Sequence, residues 1–572
     1  MSMMLLARRA GGAAASGGGT IAAILTQQGA SPTTGSLRFT GGFPLPPTGT
    51  YAMSPADVTA KKFSVWIGGV EQSIHAEALR GAHYNGNVIG IRYDFDYTAA
   101  STADVVAEVR IGTARVASDI SRRTIQKAQF DARRWLLATD TTFLCSTWLT
   151  AQPLVPYASW NAQEQAWLKG MMDTALTGLA ENSTAETSFY DAPRHITALW
   201  CCTGDVNYLR RAMVKLGATL GTYFPTTGTY TPAIVGIMDT ESLSIGIDVV
   251  DGQASEPRSV FERSCEIGYL ITGWSYPWAA VNNMANAASR ASSAWTFTFA
   301  ADENRNIRFN LWVLRWRLAS SRIDGTYRYA NTDYAARQDS YASELPGWLT
   351  ALDSNKFDAS RGAYRENLRG LNPGQNAQTK VTDNTINNCF IPANSNGVFP
   401  TFQVSVINDV LMDYYHTVHA DSRIPGWVKT NVDIVLANAA LLPNDHYYEN
   451  NGTGTGKYAT RYMMYDTANT VNATDGGPTG SGSKNDPFDI CLHIKAISFC
   501  AANYPSDTSN GKTYAEWRDL LMLPKQMGGL SWNYKYIGET FNAMSAPYYR
   551  VTGNPGGPSA IREPAVYTNQ PT

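Results

Sequence analysis

Side chains able to do acid–base chemistry gather in four places along the chain. The first is Phe189-Tyr190-Asp191-Ala192-Pro193-Arg194-His195. Pro193 sets a helix start and puts Asp191 at or near its N-cap. Tyr190 or His195 could abstract a proton α to a uronate carboxylate, with Arg194 neutralising that carboxylate. The alternative is structural: a capping Asp191, a surface ion pair for Arg194 and a core slot for His195. The second place is Glu262-Arg263 with Glu266. Glu262 and Glu266 share a helix face at i,i+4 and could act as acid and base across a glycosidic bond, or simply form an exposed face. The third is Asn408-Asp409 with Asp413, His416 and His419. Asp409, Asp413 and His416 form one stripe, facing inward or outward. The fourth is Lys484-Asn485-Asp486-Pro487 with Asp489 and His493, where Asp489 and His493 pair at i,i+4 near a helix start.

Sugars are gripped by flat aromatic faces and polar groups, because a pyranose has an apolar face and a polar rim. The segment 443–486 is rich in Asn, Gly and Thr and carries Tyr447, Tyr448, Tyr458, Tyr462 and Tyr465. Trp532 and Tyr534 lie near the C-terminal end. Tyr447, Tyr448, Tyr462, Tyr465, Trp532 and Tyr534 are the candidate saccharide contacts.

The composition narrows the class. The 572 residues include 46 Lys+Arg against 48 Asp+Glu, for a formal charge of −2. Such balance argues against a nucleic-acid binder working through bulk charge. Only 16% of residues are charged, against about 25% in an average globular protein. With 30 Tyr and 15 Trp, the surface is expected to be polar but weakly charged. No apolar run approaches the ~20 residues of a membrane span. The seven cysteines have no CxxC spacing and read as reduced, buried thiols. No metal pattern, P-loop, GxSxG elbow, HExxH or dinucleotide fingerprint occurs, so no cofactor and no metal are expected.

The elements that must position these groups fall into four stretches. Residues 1–34 read as a Gly/Ala-rich docking arm. Its start places apolar residues before Arg8-Arg9, unlike a signal peptide, and an export signal is not expected. Residues 35–155 read as a β-sandwich-like module. Ile91, Tyr93, Phe95 and Tyr97 line one face of a strand, and Asn85-Gly86 makes a tight turn. Residues 156–550 read as helical hairpins. One turns at Gly204-Asp205, another at His419-Ala420-Asp421, and a third joins 490–502 to 514–523. A fourth pairs 265–274 with 279–294. Such an array is expected to close into an α/α toroid. Residues 551–572 read as an extended C-terminal arm.

The run Val70-Glu71-Gln72, Glu77 to Arg80, Asn85-Gly86, Ile91 and Asp94-Phe95 resembles the small β-domain preceding an α/α toroid in some polysaccharide-degrading enzymes. The third turn position, Asn87, departs from their D/N-G-S pattern. Phe399-Pro-Thr-Phe402-Gln403 with Tyr414-Tyr415, and Trp532-Asn-Tyr534-Lys535 with Phe541-Asn542, resemble hairpins of toroid glycosidases and lyases. Together with the arm, the chain resembles bacteriophage tail-appendage proteins, fibres or spikes, carrying such a toroid. That resemblance implies a multidomain α+β virion protein, folded in the host cytoplasm, that binds and could degrade a host surface polysaccharide. Its implied partners are other tail proteins through the arm, the host glycan and further copies of itself, with no nucleic acid. A stand-alone bacterial lyase or hydrolase, or a purely structural virion protein with a degenerate enzyme fold, are the alternatives.

Overall fold

The computed structural model describes residues 18–28, 32–177, 191–223, 262–274, 277, 318, 319, 322, 357–358, 363–364, 399–438, 440–441, 459–460, 463–464, 489–522 and 542–553. Antiparallel sheets dominate the N-terminal part and helices follow, so the chain is α+β.

The strands are β1 (Gly19–Gln27), β2 (Gly35–Pro44), β3 (Phe63–Ile67), β4 (Val70–Glu71), β5 (His75–Ala78), β6 (Gly90–Ala99), β7 (Val105–Ile111) and β8 (Arg134–Ala138). One sheet runs β4-β3-β7-β1-β8 and another β2-β6-β5. Period-two patterning explains them. In β1, Ile21, Ala23 and Leu25 are buried while Thr20 and Ala22 are exposed. The register sets Ile21 opposite Val109 and Ile24 opposite Leu137. Residues 19–27 therefore lie between two strands, although the sequence assigns 1–34 to an arm. An arm beginning at residue 1 cannot extend past Gly18.

On β6, Ile91, Tyr93 and Phe95 are fully buried, as the alternation predicts. The opposite face is also covered. Asp94 is buried between Arg38, at 2.7 Å, and Arg123, at 2.5 Å, and Arg92 pairs with Glu77 at 2.6 Å. The expected Asn85-Gly86 turn is present, with Gly86 at φ +81°. Phe43 of β2 meets Phe63 of β3, and the Leu136 N–H of β8 donates to the Tyr93 hydroxyl of β6 at 2.6 Å. The two sheets share one core.

Three short helices are interleaved with the strands: α1 (Pro55–Thr59), α2 (Lys127–Ala132) and α3 (Thr141–Ser146). The helical body begins with α4 (Ala162–Glu164), which runs through a π-turn (Gln165–Lys169) into α5 (Gly170–Thr177). Asn161 and Glu164 form a capping box. Glu164 is buried and also receives Arg550, 2.7 Å away, from the far end of the helical body.

The predicted hairpins follow. α6 (Ala192–Thr203) and α7 (Val206–Tyr223) join at Gly204, whose φ of +72° is the left-handed geometry of a helix end. α8 spans Glu262–Thr272; the expected partner leg, 279–294, lies outside the described residues. α9 (Thr401–Thr417) and α10 (Ile424–Asn438) pair across Asn408 and Asn431, which bond at 2.8 Å. α11 (Asp489–Asn503) leads to α12 (Tyr514–Leu521), started by a Thr513–Glu516 capping box. α13 (Ala546–Thr552) closes the described chain.

The helical body is seated on the strands through glycine. A Cβ on Gly41 would lie 2.8 Å from the Ile271 carbonyl, and one on Gly42 would collide with the Leu270 carbonyl. Bare backbone in β2 lets α8 approach this closely. The Arg80 N–H donates to the Tyr269 hydroxyl at 2.7 Å beside the same contact. Packing therefore continues across the boundary expected at residue 155, and one hydrophobic cluster spans strands and helices.

Candidate functional site

Four of the helices bring their charges to one buried place. α6 supplies Arg194, α8 Arg263 and Glu266, α9 Asp409 and Asp413, and α11 Lys495; Arg322 completes the group. All seven are at most 4% exposed. Arg194 donates to Asp413 at 3.1 Å and stands 3.8 Å from Asp409. Its Nε–H also donates to the Thr150 carbonyl at 2.8 Å. Lys495 bonds Asp409 and reaches Asp413 at 3.5 Å. Arg263 bridges Glu266, at 2.6 Å, and Asp413, at 3.7 Å, while Arg322 takes the other Glu266 oxygen at 2.9 Å.

The electrostatics follow from burial and partners. Burial alone would raise the Asp413 pKa, but Arg194, then Lys495 and Arg263, outweigh it and hold the carboxyl below its ordinary value. Burial lowers the Arg322 pKa, opposed by Glu266. Each of these carboxylates faces two or more cations. A general base needs a free lone pair and a route to substrate, and this cluster is closed on both counts.

The cluster settles several expectations. Asp409, Asp413 and His416 do form one stripe, and it faces inward. Arg194 pairs in the interior and not on the surface. His195 is buried in the same helix. Of the expected Glu262–Glu266 couple, Glu266 is committed to two guanidiniums, and Glu262 is the first residue of α8, its side chain outside the description. Asp191 does not cap its own helix. It adopts φ +61°, and its carboxylate accepts the Ser264 N–H of α8 at 3.0 Å and the Ser264 hydroxyl at 2.5 Å. A carboxylate near a helix start stabilises the exposed N–H groups of that helix, here in a different helix from its own. Asp489 is the first residue of α11, its side chain likewise outside the description. His493, its expected partner, is buried, makes no hydrogen bond through either ring nitrogen, and has its pKa lowered by burial to about 3. Tyr190, Tyr447, Tyr448, Tyr462, Tyr465, Trp532 and Tyr534 lie outside the described residues.

Two members of the cluster escape a motif search. Lys495 is one cation inside the apolar run Ile494 to Cys500, which is itself a signal: a charge there must find a buried partner. Arg322 carries no comparable local signal. Among the described residues, no three or more His, Cys, Asp and Glu side chains gather to hold a metal ion, and no helix is long and apolar enough to cross a membrane. Cys145, Cys201, Cys202, Cys265 and Cys500 are free and buried.

A second location is defined by short strand ladders. Phe399–Pro400 pairs with Met463–Met464, and Ala440–Leu441 with Ala459–Thr460. The first ladder stands at the start of α9 and the second at the end of α10. α11 runs in the same direction as α9, since Lys495 meets Asp409 and Phe499 meets His416. The start of α9, the end of α10 and the start of α11 thus share one end of the helical body. Both ladders bring residues 459–460 and 463–464 to that end. No family model, characterised protein or solved structure matches the chain.

Proposed function

We propose that the chain is a bacteriophage virion tail protein, a fibre or spike, that grips a host surface polysaccharide with the Tyr-rich end of its helical body. The pair of ladders at 399–400/463–464 and 440–441/459–460 supports this reading, because residues 459–460 and 463–464, which belong to the Tyr-rich stretch of the sequence, stand beside three helix ends. Low charge and abundant aromatic and amide residues suit a weakly charged glycan surface. In this reading the two N-terminal sheets form a sandwich, the hairpins close as a toroid, and residues preceding β1 dock onto other tail proteins. Further copies of the chain complete the appendage.

Gripping is favoured over cutting. Arg194, His195 and Asp409 are buried, and Arg194 and Asp409 are tied into ion pairs, which leaves a polymer no path to them. The test incubates the protein with host exopolysaccharide and measures retention, new ultraviolet absorbance and new reducing ends. Retention with neither product signal is expected, and Tyr447→Ala with Tyr448→Ala should weaken it about tenfold, a loss of ~1.4 kcal/mol. Mass spectrometry of purified virions should find the chain. Its absence from virions, or a failure to retain polysaccharide, would overturn the reading.

A further inference from the structure

Three thiols meet where the N-terminal strands join the helical body. Cys145 lies on α3, and Cys201 and Cys202 stand near the end of α6. All three are free and buried. The two helices are closely seated: a Cβ on Gly204, just past α6, would lie 2.6 Å from the Thr139 carbonyl, just before α3. Across this contact the Cys145 Sγ–H donates to the Cys201 carbonyl at 3.4 Å. That places the sulfur beside the peptide joining Cys201 to Cys202. Of these two, Cys202 is the residue whose thiol shares a hydrogen bond with that of Cys145.

The three differ in access. Cys145 is 8% exposed, whereas Cys201 and Cys202 are each 1% exposed. Burial pushes the Cys201 and Cys202 thiols up, so neither is a first target for an oxidant. A single buried thiol is inert for the same reason. Two thiols in contact behave differently, because the first sulfur to be oxidised finds its second in place. Hydrogen peroxide, little larger than water, can reach a sulfur that is only partly covered. The position also matters for the fold. α3 carries the chain into a turn with left-handed backbone at Trp148 and Ala151, and the Thr150 carbonyl of that turn accepts Arg194 of α6. A bond from Cys145 to Cys202 would tie α3 to α6 across this turn.

We propose that Cys145 and Cys202 are a peroxide-oxidised pair, with Cys145 attacked first and Cys202 as the resolving thiol, and that their disulfide staples the N-terminal strands to the helical body. In the first step the Cys145 sulfur attacks one peroxide oxygen. The O–O bond breaks, a sulfenic acid forms, and the departing hydroxide takes the thiol proton and leaves as water. In the second step the Cys202 sulfur attacks the sulfenic sulfur. The S–O bond breaks, the S–S bond forms, and the Cys202 proton leaves with the hydroxide as a second water. Two thiols lose two electrons in all, and one peroxide is reduced to two waters. The pair is remote in sequence from the Tyr-rich stretch and does not depend on attachment to a virion.

The test exposes the reduced full chain, folded in native buffer, to hydrogen peroxide and maps its peptides by mass spectrometry without reductant. A linked Cys145–Cys202 peptide pair, lighter by two hydrogens, is expected, and dithiothreitol should reverse it. Cys145 precedes Cys201 by 56 positions, so the link closes a long loop and should raise the melting temperature by several degrees. Cys202→Ser should stop the link and leave Cys145 as a sulfenic acid that dimedone traps. Cys201→Ser should link as the wild type does. Should Cys202→Ser fail to fold, the wild-type map and Cys201→Ser decide. A link from Cys145 to Cys201, a link formed only in urea, or thiols unchanged by peroxide would each overturn the proposal. So would dimedone labelling of Cys202 ahead of Cys145.

Discussion

Asp413 accepts charge from Arg194, Lys495 and Arg263 at once, so its removal is felt by all three. Breaking a buried pair strands a charge and typically costs about 3–5 kcal/mol. Asp413→Asn should destabilise by that order in urea unfolding at pH 7. His493 acts through pH. Its folded pKa, about 3, lies below the unfolded value near 6.5. Between these values the unfolded chain binds a proton that the folded chain refuses, so stability falls as pH falls from about 6.5. At pH 5 the loss is on the order of 2 kcal/mol, from 1.36 kcal/mol per pH unit. Asp413 contributes differently. Its depressed pKa gives stability that is present above about pH 4 and is lost as pH falls through the folded value. His493→Leu should therefore flatten the slope from pH 6.5 down to about 3, leaving below about pH 4 the carboxylate contribution alone. An unchanged slope above pH 5 in that variant would contradict the assignment. Residue types were legible in the sequence: Arg194, His195, Asp409 and Asp413 stand out by helical spacing. Their saturation was not, because it depends on Lys495 and Arg322, which arrive from distant segments.

At the scale of elements, the contact of α8 with β2 rests on missing side chains. Gly42→Ala would push a methyl group into the Leu270 carbonyl, which cannot yield as a flexible side chain would. Overpacking of this kind costs about 1–3 kcal/mol or more. The variant should lower the melting temperature by several degrees, and a near-neutral effect would mean that the helix can shift. The helical hairpins were readable because Gly204 with Asp205, and Asp421 ahead of Pro425, are local signals. The β6 alternation was readable for the same reason. The seat of α8 was not, since Gly41-Gly42 in a sequence looks like a turn. Only the partner backbone shows that it is a close approach. Asp191 is similar: its type suggested a cap, and its left-handed backbone sends the carboxylate to Ser264 of another helix.

For the whole molecule, the shared core predicts one cooperative unfolding transition for the strands and the helices packed on them. Cys145, Cys201, Cys202, Cys265 and Cys500 report on it. Burial raises the thiol pKa of Cys201, Cys202 and Cys500, which suppresses the reactive thiolate. These thiols should resist alkylation in native buffer and label together at the unfolding midpoint. Labelling of Cys145 at lower urea than Cys500 would reveal two separate units. Composition and periodicity showed an α+β chain with strands first. They could not place the first strand, because β1 follows directly on a Gly-rich run that reads as an arm, and its pairing with β7 and β8 is long-range.

The pair between Glu164 and Arg550 has a consequence for biosynthesis. The two residues are 386 positions apart, and Glu164 is buried. During translation, Glu164 leaves the ribosome long before its cation exists. At roughly 5–20 residues per second the wait is about 20–80 s. Until then the helix start at Asn161 can form, but burying it would strand a carboxylate. The final turns of α13 thus serve as a completion check: a polypeptide released before residue 550 lacks the charge that lets its first helical segment settle into place.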